Sequence, residues 1–313
     1  MQVHTDPGFL PPFRNAVVTI GTFDGVHKGH RRIIEQMLRV ADGVHGESVI
    51  ITFHPHPRMV VRGGQESPGL LTTPDERIEL LESLGVDHLV VIPFTTAFSE
   101  MEAEEYVSEF LVRRFRPHTL IIGFDHRFGK ERSGDYRLLE RLSSEHGYRV
   151  LEIDAHLLDE VKVSSSRIRN ALKEGKASEA AELLGYPYMF SGRVVPGDRR
   201  GRTIGFPTAN LEEGPPWKLM PADGVYAVRA SLDGEDADGW VDGMMNIGTR
   251  PTVDGTRRVT EVHLFDFERE IYGSVLRVAV IGRIRDEMRF SGLEALRSRL
   301  EEDRRHALSL LRH

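Results

Sequence analysis

The sequence predicts an α/β domain built on a doubly wound parallel sheet, then a small antiparallel β-domain, then one closing helix. Three observations predict it. Short β-branched runs alternate with helical patterns through residues 1–185. Near Tyr186-Pro187 the character changes, and the later runs are strand-like with Gly, Pro and Asp between them. The chain has 313 residues, too many for one ordinary small domain and comfortable for two.

In chain order, the apolar runs of the first domain are Ala16–Ile20, Ser48–Phe53, His88–Ile92, Thr119–Ile122 and Arg149–Ile153. Their hydrophobicity is nearly continuous, as in parallel strands covered on both faces. Helical patterns lie between them. One covers Lys28–Val40. The next starts at Thr73-Pro74-Asp75-Glu76, a capping box with Pro at the first helical position, and ends at Gly85. A third is expected from Ser99, with Glu102 three residues on, to Phe115, and a fourth over Tyr136–His146. The alternation implies a parallel sheet of about five strands. Two short helices follow, Ser166–Lys173 and Ser178–Leu184, the second stopped by Gly185.

The second domain, residues 186–313, offers strands at Gly192–Val195, Val225–Leu232, Trp240–Ile247, Val259–Phe265 and Val275–Ile281. Leu276, Val278 and Val280 alternate with Arg277 and Ala279, a half-buried pattern. Several short strands without helices between them suggest a small barrel or sandwich. In the last helix Leu293, Leu296, Leu300, Ala307 and Leu311 mark the expected buried stripe. No internal repeat is present.

Composition narrows the function. At 40% hydrophobic and 28% charged residues, the chain is globular in character. The absence of cysteine excludes a disulfide framework, a Cys-ligated metal or cluster, and a thiol nucleophile. The N-terminus has no apolar core of a signal peptide, and no run approaches the roughly 20 apolar residues of a membrane helix. A cytoplasmic protein without a membrane partner is expected. A formal charge of −7 argues against a nucleic-acid partner. Arginines outnumber lysines 35 to 6. A GC-rich genome gives the same bias, so only arginines inside polar loops count toward phosphate recognition.

In an open α/β sheet, ligands bind beyond the carboxyl ends of the strands. The loop after the first run is Gly21-Thr-Phe-Asp-Gly25-Val-His27-Lys-Gly29-His30. Its glycines allow tight turns and close ligand approach. His27 and His30 share one face as a helix opens, where anions are already favoured. Two imidazoles there can donate to phosphate oxygens as charge develops. Later loops carry His54-Pro-His56-Pro, Gly123-Phe-Asp125-His126-Arg127-Phe-Gly129-Lys130, and Ser164-Ser165-Ser166-Arg167-Ile-Arg169. The serines also read as a helix cap, the histidine pair as a surface turn, and Asp125 as a turn former. There is no P-loop, no G-x-G-x-x-G after a strand, and no Gly-x-Ser-x-Gly elbow.

In the second domain, Gly197–Asn210 is a Gly/Arg loop, with Arg199, Arg200 and Arg202, leading into Pro207-Thr208-Ala-Asn210. Thr208 and Asn210, two apart on an extended run, face one side and offer neutral oxygens suited to Mg²⁺. Glu261 is a carboxylate on a later strand, able to accept the proton of a substrate hydroxyl or to stand as an ordinary exposed residue.

These stretches together resemble the bacterial bifunctional riboflavin kinase/FAD synthetase family over nearly the whole chain. The resemblance rests on G-T-F-D-G-V-H-x-G-H at Gly21–His30, T-F-x-P-H-P at Thr52–Pro57, G-x-D-x-R-F-G-K at Gly123–Lys130 and S-S-[ST]-R-I-R at Ser164–Arg169. It continues with G-R-x-x-G-F-P-T-A-N at Gly201–Asn210, G-V-Y at Gly224–Tyr226, N-I-G-x-R-P-T at Asn246–Thr252 and E-V-H-L-x-D-F at Glu261–Phe267. It implies a nucleotidyltransferase domain that moves AMP from ATP to FMN, giving FAD and pyrophosphate. It also implies a β-barrel that phosphorylates riboflavin to FMN, leaving ADP. His27, His30 and Glu261 would be catalytic. Gly21, Phe23, Asp24, Gly25, His56, Asp125, Arg127, Ser164, Ser165, Ser166 and Arg167 would bind nucleotide or flavin, as would Gly201, Gly205 and Pro207. Thr208 and Asn210 would hold Mg²⁺. The chain departs from the family at His126, where Phe is usual, and at Ser166, where Thr is common. A single-activity enzyme and an RNA-binding barrel are the competing readings; the acidic charge and lack of clustered aromatics in the barrel strands oppose the latter.

Overall fold

The computed structural model describes residues 1–61, 69–124, 126–153, 163–197, 200–212, 214–232, 239–252 and 255–312. The chain forms two compact units, Met1–Ser165 and Ser166–His313.

The first unit holds six strands: β1 (Gln2–His4), β2 (Val17–Ile20), β3 (Ser48–His54), β4 (His88–Pro93), β5 (Thr119–Gly123) and β6 (Arg149–Ile153). Their order is β1-β4-β3-β2-β5-β6, and every pairing is parallel. The five expected runs are strands, and β1 adds a sixth at the edge. It is only Gln-Val-His, too short to carry a pattern, and is held by its register on β4, Gln2 to His88 and Val3 to Leu89. Both faces of the central strands are covered. Val18, Ile20, Val49 and Ile51 pack on one side with Tyr106, Phe110 and Phe115. Val17, Ile50, Leu89 and Ile121 pack on the other with Ile34, Met37 and Leu81. That double burial is why the strands read as continuous apolar runs. From β2 the chain moves outward to β3 and β4 on one side, and β5 and β6 lie on the other. The switch point, where such sheets bind ligands, is therefore the carboxyl end of β2 beside β5.

The helix expected from Ser99 to Phe115 is broken. Ser99 ends a separate turn, Thr96–Ser99, capped by the Thr95 hydroxyl. The longer helix begins at Ala103 and runs as Ala103–Glu105, a π-helical stretch Tyr106–Val112, and Arg113–Phe115. Glu102 is its N-cap without a side-chain bond. The capping box at Thr73 and Glu76 forms as expected.

In the second unit the helices Ser165–Lys173, which begins at the division, and Ala177–Leu184 precede a closed barrel. Its strands are β7 (Tyr188–Val195), β8 (Ala209–Leu211), β9 (Gly224–Leu232), β10 (Val241–Thr252), β11 (Gly255–Leu264) and β12 (Val275–Arg285). The antiparallel order β10-β11-β8-β7-β12-β9 closes on itself, so the architecture is a barrel and not a sandwich. The two helices pack with it: Leu172 and Leu184 are fully buried, and the Ala222 amide donates to the Leu172 carbonyl at 2.9 Å.

The closing helix, Leu293–Leu311, buries Ala307 and Leu311 as expected. Leu293 is 61% exposed, which corrects the expected stripe at its first turn. The stripe runs instead through Asp303, an acid that is 1% exposed. Its carboxylate is buried because Arg285 of β12 reaches it with bonds of 2.6 and 2.9 Å.

Candidate functional site

The loop leaving β2 is strained where it turns. Phe23 and Val26 have positive φ of 47° and 35°, which L-residues rarely adopt. A long-range network holds it there. Asp24 is fully buried, and its carboxylate accepts from the Leu71 amide at 2.9 Å, the Thr72 amide at 3.0 Å and the Thr72 hydroxyl at 3.2 Å. The Gly25 amide donates to the Thr72 hydroxyl oxygen at 3.1 Å. The Asp24 carbonyl accepts from the Ser165 hydroxyl at 3.1 Å, which brings the serine motif to the same loop.

The loop delivers His27 as the N-cap of Lys28–Gly43. Its Nδ1 accepts from the His30 amide at 3.3 Å, so Nδ1 carries the lone pair and the proton sits on Nε2. The His27 and His30 rings stack with centroids 3.7 Å apart and planes 13° apart. Gly29 makes room: a Cβ there would lie 3.2 Å from the His27 ring. His30 also packs on Phe23. Burial, then His27, then Arg77 hold the His30 pKa well below the ordinary histidine value. The pair is thus two stacked imidazoles at a helix N-terminus, the end of the macrodipole that favours anions.

Sequence reasoning missed Arg77. It lies just past the capping box, where an arginine reads as solvent-exposed, yet it is 3% exposed. Its guanidinium donates to the Thr22 carbonyl at 2.9 Å and the Thr52 hydroxyl at 3.0 Å. The Thr52 hydroxyl in turn donates to the Thr22 carbonyl at 3.2 Å. Arg77 therefore ties the G-T-F-D loop to the T-F-x-P-H-P strand end. The available signal was its spacing of four from Leu81, which places it on the buried stripe of its helix.

Asp24→Ala is expected to destabilise the chain by about 3 kcal/mol, because it leaves two buried amides without their acceptor and removes the negative charge that offsets the buried Arg77 guanidinium. Denaturant unfolding followed by far-UV circular dichroism checks this.

The remaining candidates are placed as follows. His56 is buried, with Nδ1 accepting from the Arg58 amide at 3.1 Å. Arg127 is exposed and pairs with Asp135 at 3.0 Å. Asp125 lies outside the described residues. Ser166 and Arg167 are exposed and belong to the second unit, where Arg167 pairs with Glu179 at 3.2 Å.

In the second unit, β8 and β11 pair with Asn210 opposite Glu261 and Ala209 opposite Val262. Directly opposed residues project from the same face, so the amide and the carboxylate share it. Thr208, two before Asn210, is exposed on that side. The preceding loop folds back tightly. Gly201 approaches so closely that a Cβ would lie 2.1 Å from the Phe206 carbonyl oxygen, and Gly205 has φ of 84°. A Cβ at Gly197 would overlap the Asn210 side chain. Arg199 lies outside the described residues. Among the described residues, no three His, Asp or Glu side chains gather as a metal cluster.

The FAD synthetase family model matches residues 11–167, and the riboflavin kinase family model matches residues 184–311. The bifunctional riboflavin kinase/FMN adenylyltransferase of Escherichia coli strain K12 is 37% identical over 294 residues, covering 93% of this chain and 91% of its own. That of Listeria monocytogenes is 38% identical, covering 92% and 90%, and that of Bacillus subtilis is 35% identical, covering 94% and 92%. A crystal structure described as a macrolide-efflux protein from Streptococcus pneumoniae superposes with a TM-score of 0.83 at 30% identity, over 97% of both chains. No described helix of the present chain is long and apolar enough to cross a membrane. With both halves matched in order and the relatives matched over at least 90% of each chain, the chain belongs to the bifunctional riboflavin kinase/FMN adenylyltransferase family.

Proposed function

We propose a division of labour between the halves. The chain phosphorylates riboflavin to FMN with ATP, leaving ADP, and transfers AMP from ATP to FMN, giving FAD and pyrophosphate. We assign the adenylyl transfer to residues 1–185 and the kinase to residues 186–313. The observation that carries the assignment is the stacked His27–His30 pair at a helix N-terminus beside the switch point of the parallel sheet. Phosphoryl and adenylyl transfers need in-line positioning and neutralised phosphate charge more than covalent help. His27 Nε2–H points the pair's donor toward such charge, and Asp24 and Arg77 fix the loop that carries it. Gly21, Gly25, Phe23 and His56 shape the nucleotide side of this site, and Ser164, Ser165 and Arg127 are assigned to nucleotide or flavin binding in the same unit.

In the barrel, Glu261 accepts the proton of the riboflavin hydroxyl that attacks the γ-phosphate of ATP. The Gly201–Pro207 turn covers the phosphates. Thr208 and Asn210 offer neutral oxygens, the hard donors that a Mg²⁺ ion already carrying phosphate ligands accepts. Magnesium, when bound, would neutralise charge on the transferred phosphoryl group. We place the enzyme in the cytoplasm, where its substrates ATP and flavin are handled.

Separating the halves tests the division. The fragment 186–313 is expected to make FMN from riboflavin, ATP and Mg²⁺ but no FAD; fragment 1–185 is expected to make FAD from supplied FMN. Because Ile168, Ala171, Leu172, Leu183 and Leu184 are buried with the barrel, fragment 166–313 should unfold at a higher temperature than 186–313. Chromatography of products and a thermal scan read both results. A folded barrel fragment without kinase activity would refute the assignment.

A further inference from the structure

We propose that His263 is a positioning residue of the kinase site, holding the Pro207 carbonyl so that Thr208 and Asn210 stand at the right place against Glu261. The proposal rests on the reading of Thr208 and Asn210 as metal and phosphate ligands.

The bond is short and sheltered. His263 Nδ1 lies 2.7 Å from the Pro207 carbonyl oxygen, and the residue is 8% exposed. A carbonyl only accepts, so Nδ1 carries the proton and donates. Burial lowers the His263 pKa, against the opposing effect of the Pro207 bond. The ring is wedged between Phe206, at 5.2 Å and 59°, and Phe265, at 5.6 Å and 66°. It therefore has both a polar and an apolar hold on the loop.

The register explains why this contact bears on chemistry. Glu261 faces Asn210 and Val262 faces Ala209. One further step along the ladder puts His263 across from Thr208, beyond the end of β8. His263 and Glu261 are two apart on β11 and project to one side. Thr208 precedes the three-residue β8, outside its ladder. Pro207 has no N–H, so the backbone there can be tied down only through its carbonyl. The His263 bond ties it, immediately before Thr208. A displacement of about 1 Å at a ligand of this kind costs on the order of a hundredfold in rate.

Two substitutions in the full chain separate the polar hold from the apolar one. His263→Asn keeps an N–H near the position of Nδ1 and removes the ring. His263→Phe keeps the ring and removes the donor. FMN formation is measured at saturating riboflavin and ATP across a Mg²⁺ titration, alongside FAD formation from supplied FMN and thermal unfolding. His263→Phe is expected to unfold near the wild-type temperature, to lose about 10- to 100-fold in kcat for FMN, and to need more Mg²⁺ for half-maximal rate. His263→Asn is expected to unfold earlier yet recover most of the kcat and Mg²⁺ dependence in its folded temperature range. FAD formation should stay at the wild-type level in both. A His263→Phe chain with wild-type kcat and Mg²⁺ dependence overturns the proposal. So does a folded His263→Asn chain as slow as His263→Phe. Thr208→Ala serves as the reference: if it leaves the Mg²⁺ dependence unchanged, the ligand reading itself fails. If it shifts that dependence while His263→Phe does not, the positioning role alone fails.

Discussion

His27→Ala and His30→Ala are each expected to lower FAD formation about a hundredfold while FMN formation continues. Removing one preorganised donor to developing oxyanion charge costs roughly 3 kcal/mol in the transition state, which is that factor. The proposed donor follows from the cap geometry: His27 Nδ1 accepts from the His30 amide, which puts the ring proton on Nε2. The substitution also removes a helix cap, worth about 1 kcal/mol of stability. His27→Asn separates the two losses. Its side-chain oxygen can still accept the His30 amide, but it has no N–H at the reach of Nε2. It should therefore be as stable as the parent and nearly as slow as the alanine variant. His30→Ala removes the ring on which His27 stacks and which rests on Phe23. It should slow FAD formation through the lost alignment as well as the lost imidazole. The readouts are FAD from FMN and ATP, FMN from riboflavin and ATP, and the thermal transition of each variant. Equal loss of both products in a folded variant would show that the two reactions share this site.

The parts of the molecule that were legible in the sequence are those whose physics is local. β2 to β5 are buried on both faces, so each is a continuous apolar run; the longer barrel strands announce themselves between Gly, Pro and Asp. β1 and β8 have three residues each, too few to repeat a pattern, and are held by their partners, β4 for the first and β7 and β11 for the second. The same divide separates the site residues. His27 and His30 are readable because their chemistry lies within one helical turn. Asp24 stands in the same motif and reads as a ligand contact, but its carboxylate is engaged by Leu71 and Thr72, which lie 47 and 48 residues away. Arg77 was missed for the matching reason: an arginine among the acids of a helix's first turns looks solvated until Thr22 and Thr52 are seen around it. Ser99 looked like a cap because Glu102 follows at the right spacing, but Thr95 had already capped a shorter turn.

Glu261→Gln is expected to lower FMN formation by between a hundredfold and ten-thousandfold, the usual range for loss of a general base. FAD formation from supplied FMN should be unchanged. The amide preserves the shape of the side chain and its place opposite Asn210, so the barrel should fold with its ladder intact. What it lacks is a lone pair basic enough to take the proton of a primary hydroxyl. The position suits such a base. Glu261 is half-buried on the ladder, with Asn210 across from it and the Gly201–Pro207 turn leading into that strand, so a hydroxyl and a phosphate chain can meet on the same face. Two signatures separate a base from a binding residue. A lost base lowers kcat with little change in the riboflavin KM, whereas a lost binding contact raises KM at constant kcat. Glu261→Asp, which keeps a carboxylate but draws it back by one methylene, should fall between the parent and the glutamine variant. Near-normal FMN production by a folded Glu261→Gln chain would show that the carboxylate is structural and that the proton leaves by another route.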